Sequence, residues 1–494
     1  MRLPDELLSE MFIFCLDEWP SPSNIDKAPL VFGRVCRRWR NIACNTPRLW
    51  SRLWFHNHGR VQIPLIQERV ASLWLSRSGA APFSLYIQQL FSRYEDDKEA
   101  APDTKGRDEA VLKLVRRCKE LKLIIINRPF LERILAAVPD ASNLRKLEII
   151  TTRWPTGETS IAAIPIKNDV VQRLHELCLP RTDNGQTVVV DPLQFACKNL
   201  RRVILEQRMH WSELISWLTL CPNLEAARFS IFDKVTPDFG YDGHGSTPTF
   251  FESHIRKLSL VVNIRSVVDL TALIPLDLPS LECLSLRLSS DVLEGTFSVH
   301  MRQIATLLVQ RTINLTQLCI LNIGYTRPDE VSGFLHHTPQ LKSLTLKGFG
   351  PELEEALMAL TILKPTYTNM RICCPRLELL DISSCCWSRS ALLDVNTMVA
   401  SRYGIRTILR SKGRRGDKTV VKKCEWVKDA QPIKRVVVRK HIDRCPSCGL
   451  GLYDQLTFVQ QMKKNKAIQQ CIEQGLTVSG FNGPRSLIEL TDSA

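Results

Sequence analysis

Cys445-Pro446-Ser447-Cys448-Gly449 sets two thiols at a turn, which is half of a tetrahedral zinc site. His441 stands just upstream, and Cys424 and Cys471 lie further off, but none of them builds a second knuckle. Three readings stay open: a one-knuckle site of His441, Cys445 and Cys448 with one more ligand, a redox pair, or two free thiols at a basic turn. A redox Cys-x-x-Cys belongs beside a strand–helix–strand pattern, which the flanks lack. Free thiols and no bound metal are the expectation. Residues for bond chemistry do not stand in a recognisable spacing elsewhere. The chain has no Gly-rich phosphate loop, no Gly-x-Ser-x-Gly elbow and no His-Glu-x-x-His. His336 and His337 are adjacent, so they face different ways. A cysteine nucleophile needs a positioned histidine, and no spacing picks one out. The expectation is a protein that binds rather than one that makes bonds, with no cofactor.

The elements that would do the binding begin at the N-terminus. Leu7, Leu8, Met11, Phe12, Cys15 and Leu16 recur at helical spacing. Pro4 suits the first helical position, and Asp5 and Glu6 face the positive end of the helix dipole. Pro20 and Pro22 stop that helix. A second apolar stripe runs Phe32, Val35, Cys36, Trp39, Ile42 and Ala43, and Pro47 ends it. Some fifty residues of short helices are near the limit for an independent core. Their surplus apolar surface needs the rest of the chain or another protein.

The run Leu3-Pro4-x-Glu6-Leu7-Leu8, with Val35-Cys36-Arg37-x-Trp39 and Thr46-Pro47-Arg48-Leu49-Trp50, resembles an F-box, in the variant found in F-box proteins of mushroom-type fungi. The resemblance covers residues 3–54. It implies docking to a Skp-type adaptor and, through it, to a cullin. By that resemblance Leu3, Pro4, Leu7, Leu8, Leu30, Val35, Cys36 and Trp39 would be the docking set. A small helical cap with no partner is the bland alternative for the same residues.

Beyond residue 63 the pattern Leu-x-x-Leu-x-Leu recurs with conservative swaps. Ten copies run from Leu121-Ile124-Ile126 through Leu144-Leu147-Ile149 and Leu281-Leu284-Leu286 to Leu377-Leu380-Ile382, at intervals of 23 to 36 residues. Pro82-x-x-Leu85-x-Ile87 is a degenerate opening copy. The last two apolar positions of each copy are two apart, so they share one face of a short strand. Amphipathic helices lie between copies, as at Leu131, Ile134, Leu135 and Val138. Helix and strand in alternation give parallel strands. The array resembles leucine-rich repeats, which implies an α/β solenoid with strands on the concave face and helices outside. Regular repeats carry Asn or Cys three residues after the last strand leucine. Here only Asn263 and Cys385 fit, so an irregular array is expected, ending near Leu393.

The predicted organisation is therefore an F-box at 1–54, repeats over 63–400, and a basic, partly disordered segment at 401–494. The net charge is +15, and between Ser401 and Cys445 fifteen Lys and Arg stand against four Asp and Glu. The main body is nearly balanced, which argues against a nucleic-acid surface there. Strand residues such as Lys122, Lys146, Arg256 and Lys342 would favour an acidic or phosphorylated partner. The substrate-binding residues themselves are unknown from sequence. No apolar run reaches the roughly eighteen residues of a membrane helix. The first helix starts within three residues, leaving no room for a signal peptide, so cytosol or nucleus is expected. The reading that follows is a substrate receptor of a cullin-based ubiquitin ligase. The alternative is a ligase-independent repeat scaffold or nuclear adaptor using its basic tail.

Overall fold

Leu53 and Phe55, Leu85 and Ile87, and Leu147 and Ile149 are each two apart and all buried, as one covered face of a strand requires. The computed structural model describes residues 3–17, 19–20, 25–57, 64–89, 105–125, 128–151, 172–179, 197–209, 211–232, 251–264, 276–290, 314–321, 335–347, 352–361, 373–383, 389–405, 408–410, 421–423, 430–439 and 455–481. The chain forms two units. The first is Met1–Arg208 with Ser216–Leu224, and the second is Met209–Ile215 with Glu225–Ala494.

The first unit opens with three short helices, α1 (Asp5–Phe14), α2 (Phe32–Val35) and α3 (Arg37–Cys44). Parallel strands follow: β1 (Arg52–Asn57), β2 (Phe83–Gln89), β3 (Cys118–Ile125), β4 (Lys146–Thr151), β5 (Glu176–Leu179) and β6 (Arg202–Met209). Helices α4 (Pro64–Ser78), α5 (Lys105–Arg116) and α6 (Arg128–Ala137) connect the early strands. Gly79 closes α4 with φ +53°, a left-handed conformation that glycine adopts without a Cβ clash.

In the second unit the parallel strands are β7 (Ala226–Phe232), β9 (Lys257–Ile264), β11 (Cys283–Ser290), β12 (Gln317–Leu321), β13 (Ser343–Lys347), β14 (Leu379–Ser383), β17 (Arg435–Arg439) and β18 (Thr477–Phe481), adjacent in that order. Two short pairings stand beside them: β8 (Phe251–Glu252) with β10 (Leu276–Asp277), and β15 (Ile408–Arg410) with β16 (Val421–Lys423). The expected α/β repeat array, parallel strands with intervening helices, is what each unit contains.

Three details differ from the sequence reading. The first copy is shifted by three residues. Leu121 aligns with Leu147 and Leu123 with Ile149, so the copy is Cys118-x-x-Leu121-x-Leu123, and all three residues are buried. Ile124 is only half-buried, and Ile126 lies outside the described residues. A cysteine in the first apolar place hid the true frame. The strand pairing also begins earlier than the opening copy at Pro82, at Trp50-x-x-Leu53-x-Phe55, whose last two positions lie on β1. Finally, the pairing does not stop near Leu393. The Val-rich strand β17 joins β14, and Ile433, Val436 and Val438 are fully buried. In the C-terminal segment two helices follow one another, Gln455–Lys464 and Lys466–Glu473. Asn465 splits them by accepting from the amides of Ala467 at 2.9 Å and Ile468 at 3.4 Å, as an N-cap does.

The asparagines that stabilise the turns stand before the strands, not after them. Asn199 Nδ2 donates to the Gln172 carbonyl at 2.7 Å, Asn223 Nδ2 to the Lys198 carbonyl at 2.6 Å, and Asn314 Nδ2 to the Pro279 carbonyl at 2.9 Å. Each ties its own turn to the turn one repeat earlier. Within each turn the amide of the first leucine donates three residues back, as Leu200 does to Cys197, Leu224 to Cys221 and Leu377 to Cys374. Buried cysteines occupy several of these turn positions because a small apolar side chain fits there. Asn199→Ala combined with Asn223→Ala is expected to cost about 1–2 kcal/mol, measured as a shift in urea midpoint at unchanged slope. A change below about 0.3 kcal/mol would show the ladder to be incidental.

Candidate partner-docking site

The N-terminal helices close on three rings. Phe12 stacks on Phe32 with centroids 4.2 Å apart, and Trp39 meets Phe12 at 4.8 Å and Phe32 at 6.2 Å. Pro4 takes the N-cap position rather than the first helical one, and its carbonyl accepts from Leu8 N at 3.1 Å. The stripe read as one helix from Phe32 to Ala43 is broken at Cys36, whose backbone is extended. The Cys36 thiol accepts from Trp39 N at 3.4 Å and so starts α3. Periodicity ran through this break because no Ser, Thr, Asp or Asn marks it.

Ion pairs bind α1 to the later elements. Arg38 meets Asp5 at 2.5 Å and also donates to the Leu3 carbonyl, and Arg48 meets Glu10 at 2.9 Å. Both pairs are exposed, so each contributes at most about 1 kcal/mol. The stronger tie is aromatic. Trp50 is buried edge-on against Trp74 at 4.9 Å, and its Nε1 donates to the Ala43 carbonyl at 2.7 Å. Trp74 Nε1 donates to the Arg52 carbonyl at 3.0 Å, and Trp54 N donates to the Pro20 carbonyl at 3.0 Å. These bonds fasten the helices to β1.

With that core closed, one apolar stripe is left outside. Leu7, Met11 and Phe14 follow each other at four and three residues along α1 and are 53%, 51% and 87% exposed. Leu3, just before α1, and Val35, at the end of α2, are about half exposed as well. Of the expected docking set, Leu3, Pro4, Leu7, Val35 and Cys36 are exposed. Leu30 and Trp39 are half-buried, and Leu8 is only 5% exposed. Leu8 and Trp39 thus build the core beneath the stripe. Met11 and Phe14 were missed as surface residues. Their spacing from Leu7 was visible, but Phe12 and Leu8 share the same helical period, and only packing shows which stripe is covered.

His441, Cys445 and Cys448 lie outside the described residues. Among the described residues no three of His, Cys, Asp and Glu come together as a metal site. Burial, with Glu148 adding to it, pushes the Cys178 thiol up to about 12, and burial pushes Cys319 up to about 11. Thiols this weakly acidic are protonated near neutral pH and are poor nucleophiles. No described helix is long and apolar enough to cross a membrane.

The strand face opposite the leucines is less basic than its residues suggest. Lys122 pairs with Glu148 at 3.0 Å, Lys146 with Glu176 at 3.1 Å, Arg256 with Glu282 at 2.8 Å and Lys434 with Glu378 at 2.9 Å. On β1 and β2 that face carries Trp54 stacked on Tyr86 at 5.5 Å, with Lys122 over the Tyr86 ring at 5.3 Å.

The chain matches no model of a known protein family and no curated protein. Among solved structures it is similar to the crystal structure of the Rad7 and Elc1 complex in yeast, at 14% identity over 91% of this chain and 92% of that one. The TM-score of 0.36 is too low for that likeness to carry an argument.

Proposed function

We propose that this chain is the substrate-recognition subunit of a cullin-type ubiquitin ligase, in which residues 1–54 act as an F-box that docks a Skp-type adaptor and the repeats over 63–400 hold a protein substrate. On this reading the strands within 401–494 extend the repeat array of the receptor. The protein makes and breaks no bonds itself. Its contribution is proximity, raising the concentration of substrate where ubiquitin is transferred.

The observation that carries the reading is the exposed stripe of Leu7, Met11 and Phe14 over a closed aromatic core, with Leu3 and Val35 exposed as well. Five large apolar side chains grouped on small helices are costly to leave in water unless another surface covers them. A helical face of this size suits a partner helix laid along it.

The test is calorimetry of the full chain against a recombinant Skp-type adaptor. Binding tighter than about 1 μM, which is roughly 8 kcal/mol, is the expected result. Addition of the cullin should then give a ternary complex in size-exclusion chromatography. Adaptor binding without cullin recruitment would point to the ligase-independent scaffold. No adaptor binding by a folded chain would overturn both.

A further inference from the structure

A pocket of about 220 Å³ in the first unit has a rim of arginines and an apolar floor. Arg34, Arg40 and Arg77 stand at the rim, while Pro29, Ala43 and Trp50 are among the floor residues. No carboxylate lines it. We propose that this pocket binds a phosphate monoester carried on a small, flat apolar body.

The charge balance selects the ligand. Arg34 is already paired with Asp26, Nη1 to Oδ1 at 2.5 Å, so its charge is offset. Arg40 and Arg77 have no ion-pair partner among the described residues. The rim therefore presents about two uncompensated positive charges. A phosphate monoester carries about −1.5 to −2 near pH 7, whereas a carboxylate carries one. Guanidinium N–H groups also suit phosphate oxygens in forked pairs.

The arginines are held where such a group would sit. Arg40 donates from Nε to the Gly33 carbonyl at 2.6 Å, which aims the guanidinium and leaves its terminal nitrogens for another acceptor. The Arg77 guanidinium carbon stands over the buried Trp50 ring, 4.3 Å from its centroid. This cation–π contact holds the guanidinium at the pocket. Ordering an arginine this way in advance lowers the entropy lost on binding. The volume is below the roughly 300–1,000 Å³ of sites for drug-sized ligands, so the guest is the size of one side chain.

This site is separate from the proposed docking stripe, although Leu30 lines the pocket and also belongs to the expected docking set. The titration is therefore run on the full chain without an adaptor. The probes are phenyl phosphate, inorganic phosphate and benzoate. Phenyl phosphate is expected to saturate at roughly millimolar concentration or below, with benzoate about tenfold weaker or more because it balances half the charge. Arg40→Gln, an exposed change that leaves Trp50 covered, should weaken phenyl phosphate about tenfold or more. Leu7→Asp should bind phenyl phosphate as the wild type does, whatever it does to adaptor docking. A peptide bearing phosphotyrosine distinguishes the source. If it binds more tightly than phenyl phosphate, the ligand is a phosphorylated protein segment. If it binds more weakly, the ligand is a free ester, and either result upholds the site. No saturable binding of phenyl phosphate, equal binding of benzoate, or an Arg40→Gln chain that binds as well as the wild type would overturn the proposal.

Discussion

Changing Leu7 and Phe14 together to aspartate is expected to weaken adaptor binding by about a hundredfold or more while the chain stays folded. Both side chains are more than half exposed in the free chain, so nothing inside the protein depends on them. Covering a large apolar side chain contributes about 1.5–3 kcal/mol. Losing two of them costs roughly 3–6 kcal/mol, before any penalty for burying carboxylates against an apolar partner. Calorimetry with the adaptor reads the loss, and thermal melts of each variant read the fold. The matched control is Leu8→Asp. Leu8, the next residue on the same helix, is 5% exposed and belongs to the covered stripe, so that change should unfold the N-terminal helices outright. Trp39→Ala is a poor probe of docking, because Trp39 packs on Phe12 and Phe32 and its loss would loosen the core first. Unchanged affinity in the double variant would remove the stripe as the contact surface and with it the main support for the ligase reading.

Arg402→Met is expected to destabilise the second unit by about 3 kcal/mol. Arg402 lies on the helix Arg389–Tyr403 and is 1% exposed. Its guanidinium donates to three carbonyls: Leu360 at 3.2 Å, Cys374 at 3.0 Å and Cys373 at 2.8 Å. Burial pulls its pKa down, and the neighbouring Cys374 and Cys373 act against that. Two effects compete on substitution. Removing a buried charge relieves its desolvation cost, which by itself favours methionine. Against this, up to three buried carbonyls lose a donor, at about 1–3 kcal/mol each. The second effect wins because the backbone fixes where those carbonyls are. Cys374 holds φ at +45°, an uncommon conformation for a side-chain-bearing residue, and the turn at 373–374 has no simple way to swing away. Arg402→Lys should recover only part of the loss, since one ammonium does not span three acceptors set by a planar fork. Urea unfolding gives the free energy. Hydrogen exchange resolved by peptide should show protection falling first over 373–383 and 389–405. A loss under about 1 kcal/mol would mean that water replaces the guanidinium.

The apolar pairs two residues apart were legible in the sequence, and so was the alternation of strand and helix that makes the sheets parallel. The first fifty residues also declared short helices with more apolar surface than they can cover. These are local properties, written within about ten residues of chain. Register was not local. Whether Leu121 pairs with Leu144 or Leu147 depends on a strand more than twenty residues away, and the cysteine at 118 left the frame ambiguous. Ladders such as Asn223 to the Lys198 carbonyl, the pairing of Lys146 with Glu176, and the junction of β14 with β17 all join residues at least 25 apart. Arg402 reads in the sequence as one more member of a basic segment, yet packing makes it the donor that closes a buried turn. The two stripes of α1 differ least of all in sequence. Leu8 and Phe12 are as apolar as Leu7 and Met11, and only the rings of Phe32 and Trp39 decide which stripe is core and which is left exposed. Periodicity sets the shape of an element, whereas exposure depends on what comes to lie against it, and that is known only once distant parts of the chain have packed.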